Sequence, residues 1–156
     1  MPSKVKAANL HKSYKIDEGF AQNVASKILK MLNTENRVEL ELIFLGDNAI
    51  KKLNKKYKFR NSPTDVLSFK IDRREFGQKV FLGEIVISLD TAFKNSKIFG
   101  TSFTDEVALY IIHGILHLFG YDDEKAEDRL RMVKKQGQIL ERLGRCKDLS
   151  KVLMPR

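Results

Sequence analysis

Two of the chain's three histidines, His113 and His117, lie four residues apart in the segment His113-Gly-Ile-Leu-His117-Leu-Phe-Gly-Tyr-Asp-Asp123. On a helix that spacing puts both imidazoles on one face, where they can point at a single object. Gly120 offers a stop for the helix, since glycine accepts the left-handed backbone that ends many helices. Asp122 and Asp123 come directly after. His113, His117 and Asp123 then form a three-ligand set with an open position, the composition of a hydrolytic metal site. Imidazole nitrogens with a carboxylate suit zinc first, at one ion per chain. A lone histidine on an apolar helix is more often a satisfied core residue than a ligand. Here two share a face that Glu106 and Tyr110 extend backward as a polar stripe, which would be costly to bury unpaired.

The spacing also parallels metzincin proteases, but those carry glutamate after the first histidine as general base. Gly114 stands there in this chain and cannot move a proton, so peptidase chemistry is disfavoured. A glycine in mid-helix costs about 1 kcal/mol against alanine and predicts close approach of a strand or substrate. What remains is a metal-activated water. A phosphodiester needs such a nucleophile together with cations that neutralise charge building on the phosphoryl oxygens. Lys51, Lys52, Lys55, Lys56, Lys58 and Arg60 place six cations within ten residues. The stretch reads either as a solvated helix face or as a phosphate-binding ridge, with Lys58 and Arg60 as the candidate catalytic cations. Glu84, Asp65 and Asp122 are candidate general bases.

The elements that must position these residues fit one domain over residues 1–156. Residues 5–10 suggest a first strand, and His11 after it reads as surface. Phe20, Val24, Ile28 and Leu32 mark an amphipathic helix over 17–33, and alternation marks a strand over 37–45. Asp47 is placed to cap a helix running to about residue 57. A turn at 61–64, a strand over 65–71, a polar loop over 72–79 and a strand over 80–88 follow. Gly83 inside the last strand hints at a bulge or a close backbone approach. A helix over 89–99 ends at Gly100, and Ser102 or Thr104 caps the site helix. Residues 124–143 predict a charged helix packing through Leu130, Val133, Ile139, Leu140 and Leu143. Residues 145–156 read as a basic, mobile tail. The order predicts an α+β domain, a short, mostly mixed sheet flanked by helices, with the metal site on a central buried helix.

The net charge of +9, from 29 Lys+Arg against 20 Asp+Glu, favours a polyanionic partner. Nucleic acid is favoured over membrane, because no basic amphipathic helix and no apolar run of spanning length stands out. Cys146 is alone, which excludes a disulfide framework and a cysteine-based zinc site. With no signal-like segment, the expected location is the cytoplasm.

The segment 113–123 resembles the signature of the bacterial YbeY endoribonucleases, the rRNA maturation factors. Two further stretches resemble that family in the same order: Asn54-Lys-Lys-Tyr57 leading into Pro63-Thr-Asp-Val-Leu-Ser-Phe69, and Leu82-Gly-Glu-Ile-Val-Ile-Ser88. The resemblance implies an α+β fold with a metal cleft. It also implies a zinc-dependent, single-strand-specific endoribonuclease acting in 16S rRNA 3′-end maturation and ribosome quality control. Its partners would be RNA in the small ribosomal subunit, with ribosomal proteins as further candidates. Two positions depart from the family pattern. Asp123 stands where a third histidine is usual, and Lys58 where an arginine commonly follows the tyrosine, with Arg60 two residues on as its substitute. Two rival readings are a ribosome-assembly RNA-binding protein whose metal is mainly structural, and a metallohydrolase of peptides or small substrates.

Overall fold

In the computed structural model, residues 3–32, 37–58, 66–75 and 78–144 are described, without the side chains of 58, 72–75 and 78–82. Arg60, Asp65, the turn at 61–64 and the tail at 145–156 lie outside them. The chain runs β1 (Lys4–Asn9), α1 (Glu18–Met31), β2 (Arg37–Leu45), α2 (Asp47–Lys58), β3 (Val66–Glu75), β4 (Gln78–Ser88), α3 (Leu89–Phe99), α4 (Phe103–Leu118) and α5 (Ala126–Leu143). The sheet order is β1-β2-β4-β3, with β1, β2 and β4 parallel and β3 antiparallel to β4. This is the mixed sheet of an α+β domain. Among the described residues, no helix is long and apolar enough to cross a membrane.

The two faces of the sheet are divided by the alternation of its strands. Val38, Leu40, Leu42 and Phe44 of β2 are buried in the main core with Ile28 of α1 and Ile112, Ile115 and Leu116 of α4. Each such side chain contributes about 1.5–3 kcal/mol on burial. Ile43 and Leu45 turn to the other face, where Ile50 and Leu53 of α2 cover Leu67, Phe69 and Val86. Beside α2 that face stays open as a cleft of about 370 Å³, lined by Lys4, Lys6, Glu39, Glu41, Phe69 and Glu84 among others.

Helix α4 is buried around nearly its whole circumference, and two glycines let it press onto β4. A methyl group at Gly114 would lie 2.7 Å from Ile85 Cγ2, and one at Gly83 would lie 2.5 Å from Leu118 Cδ1. Gly83 keeps an unbroken register with Leu40 and Lys70, so it marks close approach and not a bulge. The mid-helix glycine is therefore required by the strand beneath it.

Four expectations are corrected. The polar loop at 72–79 is instead the end of the β3–β4 hairpin, paired as far as Glu75 with Gln78. An antiparallel ladder joins backbone groups and so continues through charged residues. Leu130 is 71% exposed, and α5 packs through Met132, Gln136, Gly137, Ile139 and Leu140. At 3.6 residues per turn Leu130 falls on the side of α5 opposite Met132 and Ile139. Asp47 does not cap α2 but lies inside its first turn, and its carboxylate reaches α3. It accepts hydrogen bonds from Ser88 Oγ (2.6 Å), Thr91 Oγ1 (2.7 Å) and Lys94 Nζ (2.5 Å).

His11, read as surface, has a side chain only 10% exposed. Its Nδ1 accepts from the backbone N–H groups of Ser13 and Tyr14 at 3.0 and 2.9 Å, so Nε2 carries the proton and donates to Asp90 Oδ1 at 2.8 Å. Asp90 Oδ2 in turn accepts from the Asp47 N–H at 2.7 Å. The carboxyl ends of the three parallel strands are joined by this polar clasp.

Candidate metal centre

The site is built on the last two turns of α4 and the loop after it. Ser102 caps the helix start, its Oγ accepting from Asp105 N–H at 3.0 Å. The helix end is a Schellman turn: Gly120 N–H donates to the His117 carbonyl and Tyr121 N–H to the Leu116 carbonyl, both at 3.0 Å. Gly120 takes φ +94° to make it, a conformation that suits glycine. The turn aims the Tyr121 carbonyl back at the helix, where it accepts from His117 Nδ1 at 3.0 Å.

Asp123 arrives on a loop held from two sides. Asp122 Oδ1 accepts from the N–H groups of Asp123 (2.7 Å) and Glu124 (3.3 Å), which commits that carboxylate to the loop. Arg129 of α5 donates to the carbonyls of Asp123 and Glu124 at 3.2 and 3.3 Å.

Across the helix, His113 Nδ1 lies 2.6 Å from Oε1 of Gln136, a buried residue of α5. A carbonyl-type oxygen only accepts, so Nδ1 carries the proton in both rings and Nε2 holds the lone pair. The two Nε2 atoms are 3.0 Å apart, and Asp123 Oδ2 is 3.5 Å from one and 3.7 Å from the other. Two lone pairs and a carboxylate facing one point repel each other unless they share a cation. Tetrahedral zinc with these ligands has edges of about 3.3 Å, which these separations approach. The three ligand atoms lie within 4.8 Å of one another, so the residues present fit a metal ion. The His117 pKa is lowered, first by burial and then by the neighbouring His113, against the opposing pull of Asp123 and the Tyr121 carbonyl. That keeps its ring neutral and ready to ligate at neutral pH. Side-chain exposures of 25, 29 and 43% for His113, His117 and Asp123 leave the centre reachable from solvent.

The structure thus brings the three sequence-predicted ligands together. Arg60 and the side chain of Lys58 lie outside the described residues. Glu84 stands on the sheet face away from α4, since its neighbours Gly83 and Ile85 are the residues that touch that helix. The sequence reading missed Gln136. Its signal was present as the one polar residue on the α5 stripe of Met132, Ile139 and Leu140, a buried amide that needs a partner.

The model of the family described as Endoribonuclease YbeY matches residues 6–144. The chain belongs to the endoribonuclease YbeY family. Relatives named Endoribonuclease YbeY include one from Desulforamulus reducens, 40% identical over 144 residues, covering 87% of this chain and 94% of that one. Another, from Aquifex aeolicus, is 41% identical over 112 residues, covering 71% and 74%. A third, from Persephonella marina, is 37% identical over 131 residues, covering 82% and 84%. The solution structure of TM1509 from Thermotoga maritima aligns with a TM-score of 0.57 at 24% identity, covering 90% of this chain and 91% of that one, and shows the shared fold. The family name matches the enzyme class expected from the sequence, a hydrolase acting on RNA.

Proposed function

We propose that this protein is a zinc-dependent, single-strand-specific endoribonuclease of 16S rRNA 3′-end maturation and ribosome quality control, acting in the cytoplasm on the small ribosomal subunit. The observation that carries the reading is the cluster itself. Two imidazoles with committed Nδ1 atoms and a carboxylate converge within 4.8 Å, in a chain of the endoribonuclease YbeY family. His113, His117 and Asp123 would hold one zinc ion, which when bound supplies Lewis acidity toward water and the phosphoryl group.

The chain's own residues supply the rest. Gln136 and the Tyr121 carbonyl hold the two rings, and Asp122 and Arg129 hold the loop that presents Asp123. Lys51, Lys52, Lys55 and Lys56 are exposed along α2, beside an exposed Tyr57 packed edge-on against Phe69 at 5.5 Å. Lys58 and Arg60 continue that basic run and are the proposed contacts to the scissile phosphate. The partly exposed ligands favour this reading over a closed structural metal, which is fully ligated by protein. Gly114, packed on Ile85, leaves no room for a peptidase base.

The test incubates protein of measured zinc content with single-stranded and structured rRNA fragments, beside His117→Ala. Cleavage of the single-stranded fragments by the wild type alone is expected. Equal cleavage by both proteins overturns the proposal. Replacing Lys58 and Arg60 with alanine should lower the slope of log affinity against log salt by about 1.4, two single-strand phosphate contacts' worth. An unchanged slope removes them from RNA contact.

A further inference from the structure

We infer that Gln136 is a positioning residue of the metal centre: its side-chain oxygen fixes His113 with the proton on Nδ1 and the Nε2 lone pair aimed at the shared ligand point. The inference rests on the metal reading above and adds a residue from outside the 113–123 segment.

Three observations carry it. The first is distance, since Gln136 Oε1 lies 2.6 Å from His113 Nδ1, the shorter of the two contacts that orient the histidines. The second is burial. Gln136 is only 7% exposed, so its amide is not free to turn out to water, and a buried amide is held by the partners it has. The third is how the two rings are supported. His117 is oriented by a backbone carbonyl one turn away, which follows from the helix end itself. His113 lies a turn earlier in the helix, and its acceptor comes from another element, α5. Met132, Ile139 and Leu140 seat α5 in the core and bring Gln136 to that place.

The chemistry explains why the acceptor matters. A neutral imidazole ligates through one nitrogen only if the proton stays on the other, and an acceptor at the far side both selects that tautomer and raises the basicity of the ligating atom. Gln136 does this without adding charge. Asp123 already places one negative charge among the ligands, so a neutral acceptor leaves zinc with a net positive centre. A carboxylate at 136 would support the ring at least as well but would take up part of that remaining charge.

The experiment compares wild type, Gln136→Met and Gln136→Glu. Methionine matches the length and fills the space without an acceptor, and glutamate restores the acceptor. Zinc affinity is measured by competition with a chromophoric chelator, and the His113 Nδ1 proton is followed by NMR in the zinc-loaded proteins. Gln136→Met should bind zinc about 10–100-fold more weakly, the usual effect of losing a partner to a ligating histidine. Its His113 Nδ1 proton should exchange rapidly with water, whereas in wild type it should be slow. Gln136→Glu should recover the affinity and the slow exchange, which a packing role would not produce. Equal zinc affinity in wild type and Gln136→Met overturns this inference alone, and so does weak binding that glutamate fails to rescue. A wild-type protein that binds no zinc overturns the metal reading and this inference together.

Discussion

Two histidine–aspartate clusters in this protein use the same side chains to opposite ends. In the clasp, His11 spends both ring nitrogens on the protein: Nδ1 accepts from two backbone N–H groups and Nε2 donates to Asp90. Asp90 and Asp47 are likewise engaged by donors from α2 and α3. In the centre on α4, each histidine spends only Nδ1 on an acceptor elsewhere in the protein, and its Nε2 faces the other ligands: the second Nε2 at 3.0 Å and a carboxylate too distant for a direct hydrogen bond. What makes a histidine a ligand here is the nitrogen left unspent.

The sharpest way to break that contrast is to remove an unspent nitrogen. His117→Ala should lose zinc by more than the roughly 100-fold seen when only an outer partner of a ligand is lost. Zinc at 100 times its dissociation constant should stabilise the wild type by about 2.7 kcal/mol, with no such gain in the variant. Thermal melts with zinc or with chelator check this, and an equal zinc-dependent rise in both would put the ion elsewhere.

Breaking the clasp should cost stability and leave the metal alone. The Asp47 pKa is lowered from 3.8: burial, the largest single influence, pushes it up, but hydrogen bonds from Lys94, Ser88 and Thr91 together with the Lys94 charge outweigh it. Its contribution is therefore fully present above pH 3.8 and is lost as pH falls through the lower folded value. Asp47→Asn should destabilise by about 1.5–3 kcal/mol at neutral pH, the usual worth of hydrogen bonds to a charged group. Denaturant titrations should show the gap to wild type closing below pH 3.8. A gap that persists unchanged there would mean that the charge is not what Asp47 contributes.

Gly114→Ala tests whether the helix bearing the ligands is held by its close contact with β4. Overpacking against Ile85 should cost about 1–3 kcal/mol, offset by about 1 kcal/mol of helix propensity. A stability above wild type would show that Ile85 yields without strain. The smallest effect is expected at His11→Ala, about 1 kcal/mol from lost hydrogen bonds. Zinc stoichiometry there should equal that of wild type, and a fall would erase the distinction between the clusters.

Much of the fold was legible because its signals are local. The strand at 37–45 and the helix at 89–99 stand where alternation and the glycine stop put them. The errors fell where a partner distant in sequence decides. Residues 72–75 carry no apolar pattern, yet β4 offers them a ladder to pair with. Asp47 has the side chain of a helix cap, yet Ser88, Thr91 and Lys94 compete for it across the sheet end. Leu130 has the character of a core residue, but it stands on the side of α5 opposite Met132 and Ile139, and that other side is the one that packs on the core.

By itself the sequence determined that His113 and His117 share a face, that Gly120 ends their helix, and that a carboxylate follows within a few residues. Helical periodicity and backbone sterics act over a turn or two and need no outside partner. Only the tertiary structure decided which nitrogens stay unspent. Gln136 lies 23 residues from His113 and Asp90 lies 79 from His11, and it is the packing of α5 on α4 and of α3 against the strand ends that brings them there. A hydrogen bond is decided by position in space, so the same residue type became a ligand at one place and a clasp at the other.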